Sequence, residues 1–212
     1  PNTNGWNNTD VSVNLTAIDP ALANASTAGS GVKDTNFSVD NGASVVGTST
    51  TLVSQAVHTV DFFSTDNRSN VEATQRATVK IDKTNPTISA SQSPLSNLHG
   101  WNNTSVTVGF SVSDDFSGVD SGVGGFNPVT LAAEGFNQSA SGSVTDSAGN
   151  KSSTTYSGVD IDLTVPQLSM TSRLPAANVN GWNNTPVTVT YIGTDVLSGI
   201  DTVLSDFGAD IF

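Results

Sequence analysis

Gly100-Trp101-Asn102-Asn103-Thr104-Ser105-Val106-Thr107-Val108-Gly109-Phe110-Ser111-Val112 sets the periodicity of this chain. Its second half alternates apolar and polar side chains. One face therefore meets a core and the other meets water, as in a half-buried strand. Its first half returns as Gly5-Trp6-Asn7-Asn8-Thr9 and as Gly181-Trp182-Asn183-Asn184-Thr185, and the first interval between these copies is the longer one. An alternating run follows each copy: Val11 to Ile18, interrupted at Ala17, and Val187 to Tyr191.

Other features keep the same frame. Asp19, Asp114 and Asp195 share one offset from Trp6, Trp101 and Trp182, and Ser30-Gly31-Val32, Ser117-Gly118-Val119 and Ser198-Gly199-Ile200 follow them. Asp66-Asn67-Arg68-Ser69-Asn70 matches Asp146-Ser147-Ala148-Gly149-Asn150. Asp82 and Asp162 follow Asp66 and Asp146 at one shared offset, each four residues before Pro86 or Pro166. The extra length of the first period falls mostly between Asp19 and Asp66, which stand further apart than Asp114 and Asp146. Part of the excess is Pro20 to Ala28, a small-residue insert expected to be a surface loop. Further strands are expected over Val57–Phe62, Ala77–Ile81, Pro86–Ser89 and Pro166–Ser169, while Gly-rich Gly122–Gly142 leaves the strand content of the middle period open. No helical period is sustained. The pattern predicts an all-β chain of tandem antiparallel β-sandwich domains in an elongated array, with periods at 1–83, 84–163 and 164–212. The first period is expected to lack its opening strand, the second to be complete and the third to be partial.

With these marks, the chain resembles the bacterial immunoglobulin-like repeats found in tandem in secreted and surface proteins. The marks are Gly-Trp-Asn-Asn-Thr, the Asp…Ser-Gly-Val element, Asp146-Ser147-Ala148-Gly149-Asn150, and the junctions Asp82-Lys83-Thr84-Asn85-Pro86 and Asp162-Leu163-Thr164-Val165-Pro166. The resemblance implies Ig-like sandwiches that act as spacers, stalks or adhesive modules beside some other domain.

Composition narrows the partners. The 212 residues hold no cysteine, so there is no disulfide framework, and no run approaches the ~20 apolar residues of a membrane-spanning helix. Seven basic residues against nineteen acidic ones give a net charge of -12, which argues against nucleic acid and against an anionic membrane surface. Few charges amid abundant Thr, Asn and Gly suit an extracellular or cell-surface protein of bacterial or phage type. The start at Pro1, with no signal peptide, reads as a mature product or a fragment.

No catalytic constellation is visible, and the chain is expected not to be an enzyme. His58 and His99 stand far apart in different periods, with no metal-type spacing, and there is no nucleophile elbow or phosphate loop. Trp6, Trp101 and Trp182 have two readings: stacking platforms for a glycan, or anchors at the edge of each core. Asp114, Asp146 and Asp162, recurring as Asp19, Asp66 and Asp82, are candidate calcium ligands at a domain junction, although Asp and Asn also cap turns without any metal. The expected role is a non-catalytic structural or spacer array, adhesive where a surface glycan or protein is its partner. The alternatives are a carbohydrate-binding module accessory to a secreted enzyme, or a phage virion Ig-like module. Open sandwich ends would let neighbouring repeats of the same or an adjacent chain pair by strand addition into a filament; truncation is the plainer reading.

Overall fold

Val and Thr carry branched Cβ atoms that suit a pleated surface, and the segments rich in them are strands. The structure, a computed structural model, describes residues 1–21, 29–201 and the backbone of 210–211. In chain order the strands are β1 (Trp6–Asn7), β2 (Val11–Asn14), β3 (Val32–Val39), β4 (Val45–Val46), β5 (Ser49–Leu52), β6 (Ala56–Asp66), β7 (Gln75–Ile81), β8 (Thr87–Ser93) and β9 (Trp101–Asn102). They continue as β10 (Val106–Ser113), β11 (Val119–Gly125), β12 (Val129–Leu131), β13 (Gly135–Asp146), β14 (Lys151–Ile161), β15 (Gln167–Leu174), β16 (Thr188–Thr194) and β17 (Asp210–Ile211). No helix occurs among the described residues.

The chain divides into two compact units. The first comprises Pro1–Ser89, Ser111–Phe126 and Gly142–Thr154; the second comprises Ala90–Phe110, Asn127–Ser141 and Thr155–Phe212. In the first unit, a five-stranded sheet of order β1-β7-β6-β3-β4 accompanies a two-stranded sheet β2-β5. Phe37, Val60 and Ile81 of the larger sheet and Leu52 of the smaller share one buried cluster, joined by Val11, Val13 and Leu15. A core drawn from two sheets is compatible with a β-sandwich. In the second unit, Val106 of β10 packs with Val159 and Ile161 of β14, and Leu131 and Tyr156 cover them. The remaining sheets have the orders β12-β10-β8, β11-β13-β14-β9 and β15-β16-β17.

Three details depart from the sequence expectations. The Trp-Asn strands pair parallel, β1 with β7 and β9 with β14, although the other described pairings are antiparallel. Each lies beside the closing strand of its own period, a connection that no hairpin makes. Strand β2 stops at Asn14 rather than reaching Ile18; beyond the Asn14–Ser49 pair the Leu15 N–H still donates to the Thr48 carbonyl at 2.8 Å. The Gly-rich stretch resolves into the end of β11, β12 and the start of β13. Residues 22–28 of the expected insert lie outside the described residues.

Candidate metal centre

Each Gly-Trp-Asn-Asn segment is held by an asparagine four residues before the Trp. The Asn2 side-chain carbonyl accepts from the Asn4 and Trp6 backbone N–H groups, both at 3.0 Å. Asn97 does the same for His99 and Trp101 at 2.9 and 3.0 Å, and Asn178 for Asn180 and Trp182 at 3.0 Å each. The turn needs a left-handed residue, and Gly5, Gly100 and Gly181 supply it at φ 79°, 88° and 84°. The first Asn after the Trp then ties this segment to the closing strand: Asn7 Nδ2 donates to the Lys80 carbonyl at 3.0 Å and Asn102 Nδ2 to that of Asp160 at 3.2 Å. The anchoring Asn residues recur at the Trp spacing, so extending the repeat backwards by three residues would have revealed them.

Two further turns place carboxylates. Asp114 Oδ1 accepts from the Phe116 and Gly118 N–H groups at 3.2 and 2.7 Å. Asp195 Oδ1 accepts from Leu197 and Gly199 at 3.2 and 2.9 Å, and Asp19 Oδ2 from Gly31 at 2.8 Å. Asp146 Oδ1 accepts from Gly149 and Asn150 N–H at 2.7 and 2.8 Å, and its Oδ2 accepts from Asn150 Nδ2 at 2.7 Å. Asp66 repeats this with Arg68 and Asn70, and the Asn70 bonds, first among the causes, hold its carboxyl below the usual carboxylate range.

The closing aspartates join the loop of the following period. Asp82 accepts from Thr84 N–H at 3.0 Å through Oδ1 and from Ser117 N–H at 2.9 Å through Oδ2. Asp162 accepts from Thr164 and Ser198 N–H, both at 3.0 Å, through the same two oxygens. Bonds from Ser198 foremost, then from the Thr164 N–H, keep the Asp162 carboxyl below its ordinary range. A side-chain clamp that sequence reading missed accompanies each. Gln55 Oε1 accepts from Lys83 N–H and the Thr84 hydroxyl at 3.0 and 2.8 Å; Glu134 Oε1 accepts from Leu163 N–H and the Thr164 hydroxyl at 2.8 and 2.6 Å.

In the first unit these constraints bring Asp82, Asp114 and Asp146 together, with one carboxylate oxygen of each within 4.8 Å of the others. Asp82 and Asp146 are buried, at 0% and 1% exposure. Asn150 Nδ2 also donates to the Asp82 carbonyl at 2.9 Å, so it bridges two members of the group. No Lys, Arg or His among the described residues forms an ion pair with any of the three. The Ser117 hydroxyl oxygen beside them is buried without a protein partner. Calcium binds oxygen ligands at about 2.4 Å, so two oxygens on one ion lie at most about 4.8 Å apart. The donor set is all oxygen and anionic, which suits a hard cation.

The other candidates are distributed differently. Asp162, expected to complete the middle set with Asp114 and Asp146, lies instead with Asp195 and Ser198. Its place is taken by Asp82, because the closing strand of one period ends beside the Asp-Ser-Gly loop of the next. Asp19 and Asp66 hold the turns of the first period and belong to no group of three among the described residues. Trp6 stacks edge-on against Phe116 with ring centroids 5.5 Å apart, and Lys80 Nζ lies 5.4 Å from its ring. Trp101 is half-buried, whereas Trp182 is 74% exposed. Compared with known proteins, the chain matches no family model and no curated protein.

Proposed function

We propose that this chain is a non-catalytic structural or spacer array of an extracellular bacterial surface, appendage or secreted protein. Its tandem Ig-like sandwiches meet at aspartate-locked junctions, with the boundaries near Lys83 and Leu163. The observation that carries this reading is that the same pair of backbone bonds is made twice, once at each closing aspartate. Asp82 and Asp162 make the same pair of backbone bonds, to Thr84 and Ser117 and to Thr164 and Ser198. A repeated clamp fixes each period to the next, which is what a spacer requires.

Calcium is the cation this reading assigns to Asp82, Asp114 and Asp146. Burying carboxylates side by side without a counter-charge is costly, and a divalent ion would offset it in a chain of net charge -12. Extracellular modules bind calcium at roughly 0.1–1 mM, matching the compartment proposed. The test is thermal unfolding of the intact chain in millimolar calcium and then in chelator. A bound ion raises the midpoint by mass action, and Asp146→Ala removes the rise. Hydrolytic activity of the purified chain on glycans or peptides would refute the non-catalytic reading.

The exposed indole of Trp182 favours a second reading, a carbohydrate-binding surface. Saturable glycan binding lost in Trp182→Ala, with folding intact, would support it.

A further inference from the structure

Ser30, Ser117 and Ser198 hold the same place in the Asp…Ser-Gly loops of the three periods. In each loop the glycine that follows donates its N–H to the loop aspartate: Gly31 to Asp19 at 2.8 Å, Gly118 to Asp114 at 2.7 Å and Gly199 to Asp195 at 2.9 Å. The serine hydroxyls do not behave alike. Ser30 Oγ donates to Asp19 Oδ2 at 3.0 Å and Ser198 Oγ to Asp195 Oδ1 at 3.4 Å. Ser117 Oγ is buried and has no protein partner. Among the described residues one other buried side-chain polar atom lacks a partner, Asn102 Oδ1, and it belongs to the second unit. Backbone bonds decide where the Ser117 hydroxyl sits. Its own N–H donates to Asp82 Oδ2 at 2.9 Å, and the N–H groups on either side of it, from Phe116 and Gly118, donate to Asp114 Oδ1. The residue is thereby pinned against two of the three grouped carboxylates.

We propose that Ser117 Oγ is a further ligand of the calcium ion, a neutral oxygen added to the carboxylates of Asp82, Asp114 and Asp146. The assignment rests on the calcium reading of those three aspartates. A buried hydroxyl without a partner costs stability, and a cation in the group removes that cost by taking up an oxygen lone pair. Calcium surrounds itself with about 6–8 oxygens, so three carboxylates alone leave room for a hydroxyl and for water. Asp114, the least buried of the three, also lines a cavity of about 240 Å³ with Gln55, Thr84, Asn85, Ser113 and Asp115. That polar cavity is the side from which water completes the shell, while Ser117 closes the buried side.

The test compares the intact native chain with Ser117→Ala and Ser117→Cys by titration calorimetry with calcium alone, then with cadmium alone, and by thermal unfolding in chelator. Ser117→Ala is expected to bind calcium about tenfold or more weakly. In chelator its unfolding midpoint stays level or rises, because the unpartnered hydroxyl is gone. Ser117→Cys is expected to bind calcium more weakly and cadmium, an ion of similar size with an affinity for sulfur, more tightly than the native chain does. The native chain has no cysteine, so a gain in cadmium binding places the ion at position 117. Calcium binding by Ser117→Ala equal to that of the native chain overturns the proposal and leaves the three-aspartate site standing. A fall of the Ser117→Ala midpoint in chelator overturns it too, by giving the hydroxyl a structural role, as does cadmium binding no tighter in Ser117→Cys. Absence of calcium binding by the native chain refutes the calcium reading itself, and this ligand with it.

Discussion

Asn150 and Asn70 occupy the same turn position in successive periods, and replacing each by Ala separates the local role of the turn from its role at the junction. Asn70 Nδ2 reaches only the Asp66 carboxylate, at 2.7 Å, in an exposed turn. Asn150 Nδ2 reaches both the Asp146 carboxylate at 2.7 Å and the Asp82 carbonyl at 2.9 Å, and the residue is 9% exposed. A hydrogen bond to a charged group contributes about 1.5–3 kcal/mol and one between neutral groups about 0.5–1.5 kcal/mol. Asn150→Ala therefore destabilises the first unit by about 2–4 kcal/mol, with both acceptors left buried. Asn70→Ala, which breaks one exposed bond, costs clearly less. Native-state hydrogen exchange of buried amides in β3, β6 and β11 reads the loss, since these strands belong to the first unit. Equal effects from the two substitutions would refute the claim that Asn150 acts at the junction rather than only within its own turn.

Other substitutions test the core, the turns and the one buried histidine. Ile81, at 0% exposure in the first core, loses about 2–5 kcal/mol of stability as Ile81→Ala in urea unfolding. Gly100→Ala strains a residue at φ 88° and costs about 1–2 kcal/mol, whereas Gly109→Ala, in open space on β10, is neutral or stabilises by up to about 1 kcal/mol. His58 bonds through Nδ1 to Asp40 Oδ2 at 2.7 Å and through Nε2 to the Ser54 carbonyl at 3.0 Å. Two acceptors favour the protonated ring, and the Ser54 bond foremost raises its pKa above 6.5. Its stabilisation is thus complete below pH 6.5 and is lost as pH rises through the raised value. The Asp40 carboxyl, lowered chiefly by the Thr59 N–H, contributes above pH 3.8 and loses its contribution as pH falls. The melting temperature of the first unit should therefore decline on the alkaline side, and His58→Gln should flatten that decline.

The all-β character was legible because strand alternation and left-handed turns each demand particular residue types at fixed offsets. Trp6, Trp101 and Trp182 marked the frame, and the aspartates at constant distance from them hold the turns that such spacing implies. The membership of the acidic group was not legible. Asp82 and Asp162 are equivalent in sequence, and only sheet closure decides that Asp82 joins Asp114 and Asp146. The clamp beside each closing aspartate was hidden for a different reason. Gln55 and Glu134 share an acceptor oxygen but not a residue type, so no repeated letter betrays them. The parallel pairing of β1 and β9 was equally hidden, since two residues are too few to show alternation.

The group of Asp82, Asp114 and Asp146 as a calcium site is tested most directly by titration calorimetry of the intact chain with calcium alone, beside the variant Asp114→Asn. Asp114 is less buried than Asp82 and Asp146, so removing its charge leaves the buried pair and the fold in place. The native chain is expected to bind calcium saturably at millimolar or lower concentration, and Asp114→Asn to lose that binding. Calcium heats no larger than dilution, or binding of equal strength in Asp114→Asn, would contradict it.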